Sequence, residues 1–165
     1  MMEMSALRYI ALLALVLWIG GLVALGAIAA PVAFEVTAAR QLPEPRMIAG
    51  ALFGEMLRRF TLVSYAAGVI MLLTLAIRRI LGPRPRHFGF RVGIITVMLA
   101  ASAYAGVVVA SRIETLQREI GAAPSSLPDG DPRRIEFGRL HGLSTALQLL
   151  PLLGGLALLV WEIKE

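Results

Sequence analysis

The 165-residue chain contains no cysteine, which excludes disulfides, thiolate metal sites and cysteine nucleophiles within it. Lysine is almost absent: Lys164 is the single one, so the net charge of +5 rests almost wholly on arginine. Histidine occurs twice, at His87 and His141. Charged residues make up only 16% of the chain, against roughly a quarter in soluble domains. None of them stands in the middle of a long apolar run, where proton relays and ion-coupled transporters need them. There is no nucleophile–base pair, no paired catalytic carboxylates, no phosphate-binding glycine loop and no zinc motif. No nucleic-acid-binding motif is visible either. These absences read as a non-enzymatic protein with no nucleic-acid partner.

Apolar residues are abundant, at 58% of the chain. They fall in runs long enough to cross the ~30 Å hydrocarbon core of a bilayer, which takes about 18 residues or more. Four spans are predicted, at about 9–34, 60–77, 92–111 and 140–161. The first is longer than the apolar region of a secretory signal, about 7–15 residues, and reads as a retained helix. The fold class is all-α: an integral membrane four-helix bundle, one domain over residues 1–165.

Local signals set the helix ends. Pro43 and Pro45 break the first helix after about Ala39, and Pro45 suits the first position of the second. Gly121 is a C-terminal cap for the third helix. Asp131-Pro132 reads as an N-cap followed by a first helical position. Pro151 falls inside the fourth helix and should loosen or kink it. Small residues at Gly20, Ala24 and Ala27, at Gly26 and Ala30, and at Ser64 and Gly68 recur at helical spacing, which lets helices approach closely in lipid.

The loop around Gly82-Pro83 is compact and basic, with Arg78, Arg79, Arg84, Arg86 and Arg91 and no acid. The positive-inside rule places it in the cytoplasm, and both termini with it, in a cytoplasmic (inner) membrane protein. The helices then extend beyond the membrane on the outer side. Each half is a span, an outward extension, a Pro-containing turn and a returning span, the layout of a parallel pseudo-repeat of two helix hairpins.

Two groups of polar residues are candidates for function. Glu35, Glu55, Arg58, Arg59, Arg112, Glu114, Glu136, Arg139 and His141 should gather at the outer membrane boundary. They form either a salt-bridged collar among the headgroups or a polar mouth that binds an ion or small ligand. On helix four, His141, Ser144, Thr145 and Gln148 share one face, which should point into the bundle or an interface. Tyr65 and Tyr104 could line the same interior. That face serves interhelical hydrogen bonds, or else His141 ligates a haem or chlorophyll-type macrocycle, for which one imidazole suffices. No cofactor is otherwise predicted and no metal is assigned. His87 reads as a solvated loop histidine. Met1, Met2 and Met4 resemble a soft Cu(I)-type set, although methionine is ordinarily a packing residue.

Trp18-Ile19-Gly20-Gly21 and Phe137-Gly138-Arg139-Leu140-His141-Gly142-Leu143-Ser144 carry a resemblance. With the layout of nearly the whole chain, they are similar to the transmembrane-protein-205-like family of small four-helix membrane proteins. Trp-Ile-Gly-Gly also resembles the first helix of copper-resistance protein D-like proteins, whose histidine- and methionine-rich ligand sets are missing here. The resemblance implies the four-helix fold and no catalytic residue. The expected function is an accessory or scaffold subunit of a larger membrane complex. Its partners would be membrane lipids and either other subunits or further copies of itself. The alternatives are a metal or tetrapyrrole handler using His141, or a small-solute or metal transporter acting as an oligomer.

Overall fold

A computed structural model describes residues 2–82 and 85–164, with side chains from Ser5 onward. The methionine set Met1, Met2 and Met4 and the loop arginine Arg84 lie outside the side chains described. Four long helices account for nearly all of the rest: α1 (Ser5–Ala39), α2 (Pro45–Leu81), α3 (Phe88–Ile120) and α4 (Pro132–Ile163). They contain 32 to 37 residues each. At 1.5 Å per residue such helices are roughly 50 Å long, well beyond a ~30 Å hydrocarbon core. The excess lies at the end where the charges of residues 35–59 and 112–139 collect, so the helices extend past the membrane there.

The helix ends follow the local signals. Pro45 opens α2 behind Glu44, which adopts a left-handed conformation with φ 50°. Gly121 closes α3 at φ 66°, a backbone state that glycine takes without steric cost. The Asp131 side chain accepts from the Arg133 backbone N–H at 2.8 Å, and Pro132 follows as the first helical residue. α4 runs from Pro132 to Ile163 with Pro151 inside it. Pro151 is fully buried against the bundle, and packing on the neighbouring helices offsets the lost hydrogen bond.

Two deviations from α geometry have no counterpart in the expectations above. α1 passes through a π-helical turn at Leu25–Ala29, and α3 through one at Tyr104–Val109. Each lies in the first helix of its hairpin and in the half nearer the Pro-containing turn. That correspondence supports the pseudo-repeat.

Each helix packs on its two neighbours in the order α1, α2, α3, α4 and back to α1. The core is one cluster around Trp18, which is wholly buried, with Leu15, Met71, Ile95, Met98 and Leu158. Close approach depends on glycine at a few points. A Cβ on Gly68 would lie 2.5 Å from Leu99, and one on Gly155 would lie 2.7 Å from Ile19. The outside is as apolar as the core: Leu13, Leu17, Ile28, Leu62, Val107 and Leu153 are all more than 60% exposed. A surface of this kind belongs in lipid. The chain is a helical membrane protein.

Candidate functional site

The most organised polar feature lies at the end that holds the start of α1, the end of α4 and Gly82. Glu162 projects from the last turn of α4 and is 6% exposed. An acid there faces the negative pole of its own helix, so cations from elsewhere must hold it. Each of the other three helices supplies one. Arg78, in the last turn of α2, donates from Nη1 to Glu162 Oε1 at 2.8 Å. Arg91, near the start of α3, donates from Nη1 to Oε2 at 2.6 Å. Arg8 of α1 places its Nε 3.6 Å from Oε1, and its Nη2 donates to the Glu162 backbone carbonyl.

Arg91 is 2% and Arg78 8% exposed, whereas the Arg8 side chain is about a third exposed at 34%. Burying ions carries a desolvation penalty of several kcal/mol each, offset only by good geometry and full hydrogen bonding. One carboxylate among three guanidinium groups therefore ties all four helices together, and among the described residues the cations outnumber the acid. A cavity of about 20 Å³ lies beneath it, room for about one water, walled by Leu15, Met71, Leu75, Ile95 and Leu158.

Aromatic rings surround this end. Trp161 stacks on His87 at 6.0 Å and meets Phe90 edge-on at 5.1 Å. The Arg79 guanidinium lies 4.7 Å from the centroid of Phe88. Trp161 is thus an interfacial ring of the kind that sits at headgroup level. His87 is exposed in the turn before α3, as a solvated loop histidine would be, with its ring stacked near Trp161. Arg78 and Arg91, expected in the compact basic loop, lie inside helices and are buried, each donating to Glu162. Arg79 and Arg86 remain exposed.

The charged band at the opposite end consists mostly of local pairs. Glu55 accepts from Arg58 and Arg59 at 2.7 Å each, within one helix. Those two guanidinium groups hold its carboxyl down to about 2. Arg118 and Glu114 pair at 3.5 Å along α3. Asp131 sits below the usual carboxylate range, because the Arg133 side chain and its backbone N–H both donate to it. Arg112 and Glu136 alone join two of the expected collar residues across helices, α3 to α4, at 2.7 Å. Glu35 and Arg139 are exposed and make no ion pair among the described residues. The expected collar shared by all four helices is therefore a set of separate pairs.

The helix-four face is not assembled into an interior site. His141 and Thr145 are exposed, and Ser144 and Gln148 are only half-buried. The stripe of α4 that enters the bundle is Pro151, Gly155, Leu158 and Glu162. Continued towards the N-terminus, it passes the 144–148 edge and leaves His141 outside. His141 lies parallel to Phe137 at 6.2 Å, and its carbonyl accepts from the Thr145 hydroxyl at 3.0 Å. Gln148 Nε2 donates to the Ser144 hydroxyl at 3.5 Å. Tyr65 is half-buried beside Gly106, and Tyr104 is 49% exposed. These six residues do not converge. Among the described residues, no three of His, Cys, Asp and Glu are grouped as a metal site would need.

Sequence reasoning missed Glu162. The available signal was an acid one turn from the C-terminal end of an apolar helix, in a chain whose other three helices each carry an arginine one turn inside the same end. Residues 13–122 match the model of a family described as a domain of unknown function, DUF4149. The match covers the first motif, Trp18 to Gly21, and ends before the second, Phe137 to Ser144. No curated protein and no solved structure matches the chain.

Proposed function

We propose that this chain, which belongs to the DUF4149 family, acts by association within the bilayer, as a non-enzymatic accessory or scaffold subunit of a larger membrane complex. One observation carries the reading. Of the small-residue stripes in the sequence, Ser64 and Gly68 are used inside the bundle, where Gly68 packs on Leu99. The stripe on α1 is not used: Gly20, Ala24 and Ala27 face outward, and a Cβ on Gly20 or on neighbouring Gly26 would touch nothing within 4 Å. Without a hydrophobic force between helices in lipid, small residues promote association by letting backbones approach. A stripe left on the outer surface suits a helix of another protein. The π-helical turn at Leu25–Ala29 falls on the same segment, and such turns are frequent at functional sites.

In this reading the arginine-rich end faces the cytoplasm, in keeping with the positive-inside rule, and the long charged extensions face outward. The likeness to the transmembrane-protein-205-like family at Trp18 to Gly21 is consistent with it and adds no chemistry. Affinity purification from native membranes in mild detergent is the test. The expected result is a fixed stoichiometry with other membrane proteins, lost in the double variant Gly20→Leu, Ala24→Leu while the bundle stays folded. Recovery of this chain alone, or unchanged partners with the double variant, would overturn the reading. A coloured preparation that bleaches in His141→Ala would replace it with tetrapyrrole binding.

A further inference from the structure

α4 carries polar side chains at a depth where lipid offers them no partner. Counted at about 1.5 Å per residue from Glu162, Gln148 stands roughly 21 Å along the helix, Thr145 about 26 Å and His141 about 32 Å. Arg59 and Arg112, counted in the same way from Arg78 and Arg91, reach about 29 and 32 Å, which sets the outer edge of a ~30 Å hydrocarbon core. Gln148 and Thr145 therefore lie inside that core and His141 at its edge. The Gln148 carboxamide makes one hydrogen bond, its donation to Ser144 at 3.5 Å, which is long for such a bond. Its carbonyl oxygen and second N–H have no partner among the described residues. The His141 ring lies against Phe137, and its nitrogens make no hydrogen bond among the described residues. Polar groups in hydrocarbon find partners within a bundle or at an interface. The bundle does not supply them here: α4 turns Pro151, Gly155, Leu158 and Glu162 inward and leaves His141 and Thr145 exposed.

The same side of α4 is open to another backbone. Gly138 and Gly142 are exposed one turn apart, and a Cβ on either would meet nothing within 4 Å. Thr145 and Leu149 continue that line over the next two turns, flanked by His141 and Gln148. The chemistry of the line identifies what covers it. A carboxamide, a hydroxyl and a neutral imidazole each both donate and accept, so each can bond to its own copy. A two-fold axis along the membrane normal sets every residue at the depth of its counterpart, and two-fold pairing is the commonest form of self-association. The rim adds one charge of each sign. Arg139 on α4 and Glu35 on the adjoining α1 are exposed and make no ion pair among the described residues. A rim that carries both signs is complementary to a second copy of itself.

We propose that the outer half of α4, from Gly138 to Leu149, is a homodimer interface, in which Gln148 and Thr145 hydrogen-bond across a two-fold axis to a second copy of this chain. The glycines let the two α4 backbones approach, and the polar groups replace the partners that the bundle withholds. The interface leaves the α1 stripe of Gly20, Ala24 and Ala27 to the partner proteins proposed above, so either assignment can fail without the other.

A chain without cysteine makes this measurable, because any cysteine introduced is the only one. The purified protein, alone in phosphatidylcholine vesicles at a low protein-to-lipid ratio, is oxidised with one cysteine at a time. Gly142→Cys and Leu149→Cys should give disulfide-linked dimers in yields several-fold above those of Leu62→Cys and Val107→Cys. These two controls stand at similar depth on α2 and α3, and both side chains are 63% exposed. In the Gly142→Cys background, Gln148→Leu should raise the protein-to-lipid ratio for half-maximal cross-linking by about threefold to tenfold, as expected for interhelical hydrogen bonds in lipid. The double variant Gly20→Leu, Ala24→Leu should leave that ratio unchanged. Cross-linking on α4 no higher than at the two controls would overturn the proposal, as would a ratio that Gln148→Leu does not move. Loss of the Gly142→Cys dimer in the Gly20→Leu, Ala24→Leu background would also overturn it, by assigning the second copy to α1.

Discussion

The two ends of the bundle use the same residue types to opposite effect. At the end with the Pro-containing turns, acids and arginines pair mostly along one helix or across one turn, with Arg112 and Glu136 bridging two helices, and most of these side chains are exposed. At the other end, one acid is buried among three arginines, and each of the four charges comes from a different helix. Exposed pairs add little to stability, because water and salt screen them. The buried cluster is costly to form and more costly to leave incomplete. Among the described residues, ion pairs join all four helices only at the Glu162 end, whereas at the other end the exposed Arg112–Glu136 pair bridges two of them. Towards the other end, the helices are held mainly by packing.

The comparison can be tested by removing charges. Glu162→Ala should have the largest effect, about 3–5 kcal/mol of destabilisation, since it leaves Arg78 and Arg91 buried without their carboxylate. Unfolding in mixed micelles against a rising denaturing-detergent fraction would measure it. A loss below 1 kcal/mol would mean that the cluster is solvated after all. Arg112→Ala should cost about 0.2–1 kcal/mol, because the pair with Glu136 is exposed on both sides. That cost should fall further at high salt, and the Glu162→Ala cost should not. If both variants respond alike to salt, the distinction between the two ends fails.

The smallest effect should come from acid at the start of α4. The Asp131 carboxyl is depressed in the folded protein, so its contribution is present above the ordinary carboxylate range and is lost as pH falls through the folded value. The first turn of α4 should fray at low pH, visible as faster amide exchange at Ile135, whose N–H bonds to the Asp131 carbonyl. In Asp131→Asn the exchange should lose this pH dependence.

Much of the architecture was legible in the sequence. Run length gave four spans, and Pro45, Gly121 and Asp131-Pro132 marked ends where local chemistry acts alone. The π-helical turns were not legible, because Leu25–Ala29 and Tyr104–Val109 are ordinary apolar segments with no breaker. The site was misjudged because a helix face is known only when its rotation is known. His141, Ser144 and Thr145 do share a side of α4, but the Pro151, Gly155, Leu158 and Glu162 stripe faces the bundle. Arg78 and Arg91 carry a topology signal in the sequence, and their pairing with Glu162 appears only once the helix ends meet. Gly20 and Gly68 look alike in the sequence. Only packing shows that Leu99 occupies one and nothing covers the other.

The Glu162 cluster also has a direction in time. Arg8, Arg78 and Arg91 all precede Glu162 in the chain, so a growing polypeptide presents three cations to the membrane before their common anion exists. N-terminal parts fold first during synthesis, and α1 to α3 can associate through Trp18, Met71 and Ile95 while the arginines stay among headgroups and water. Glu162 is thus the last of the four charges to be synthesised, and the cluster can be complete only once α4 is in place.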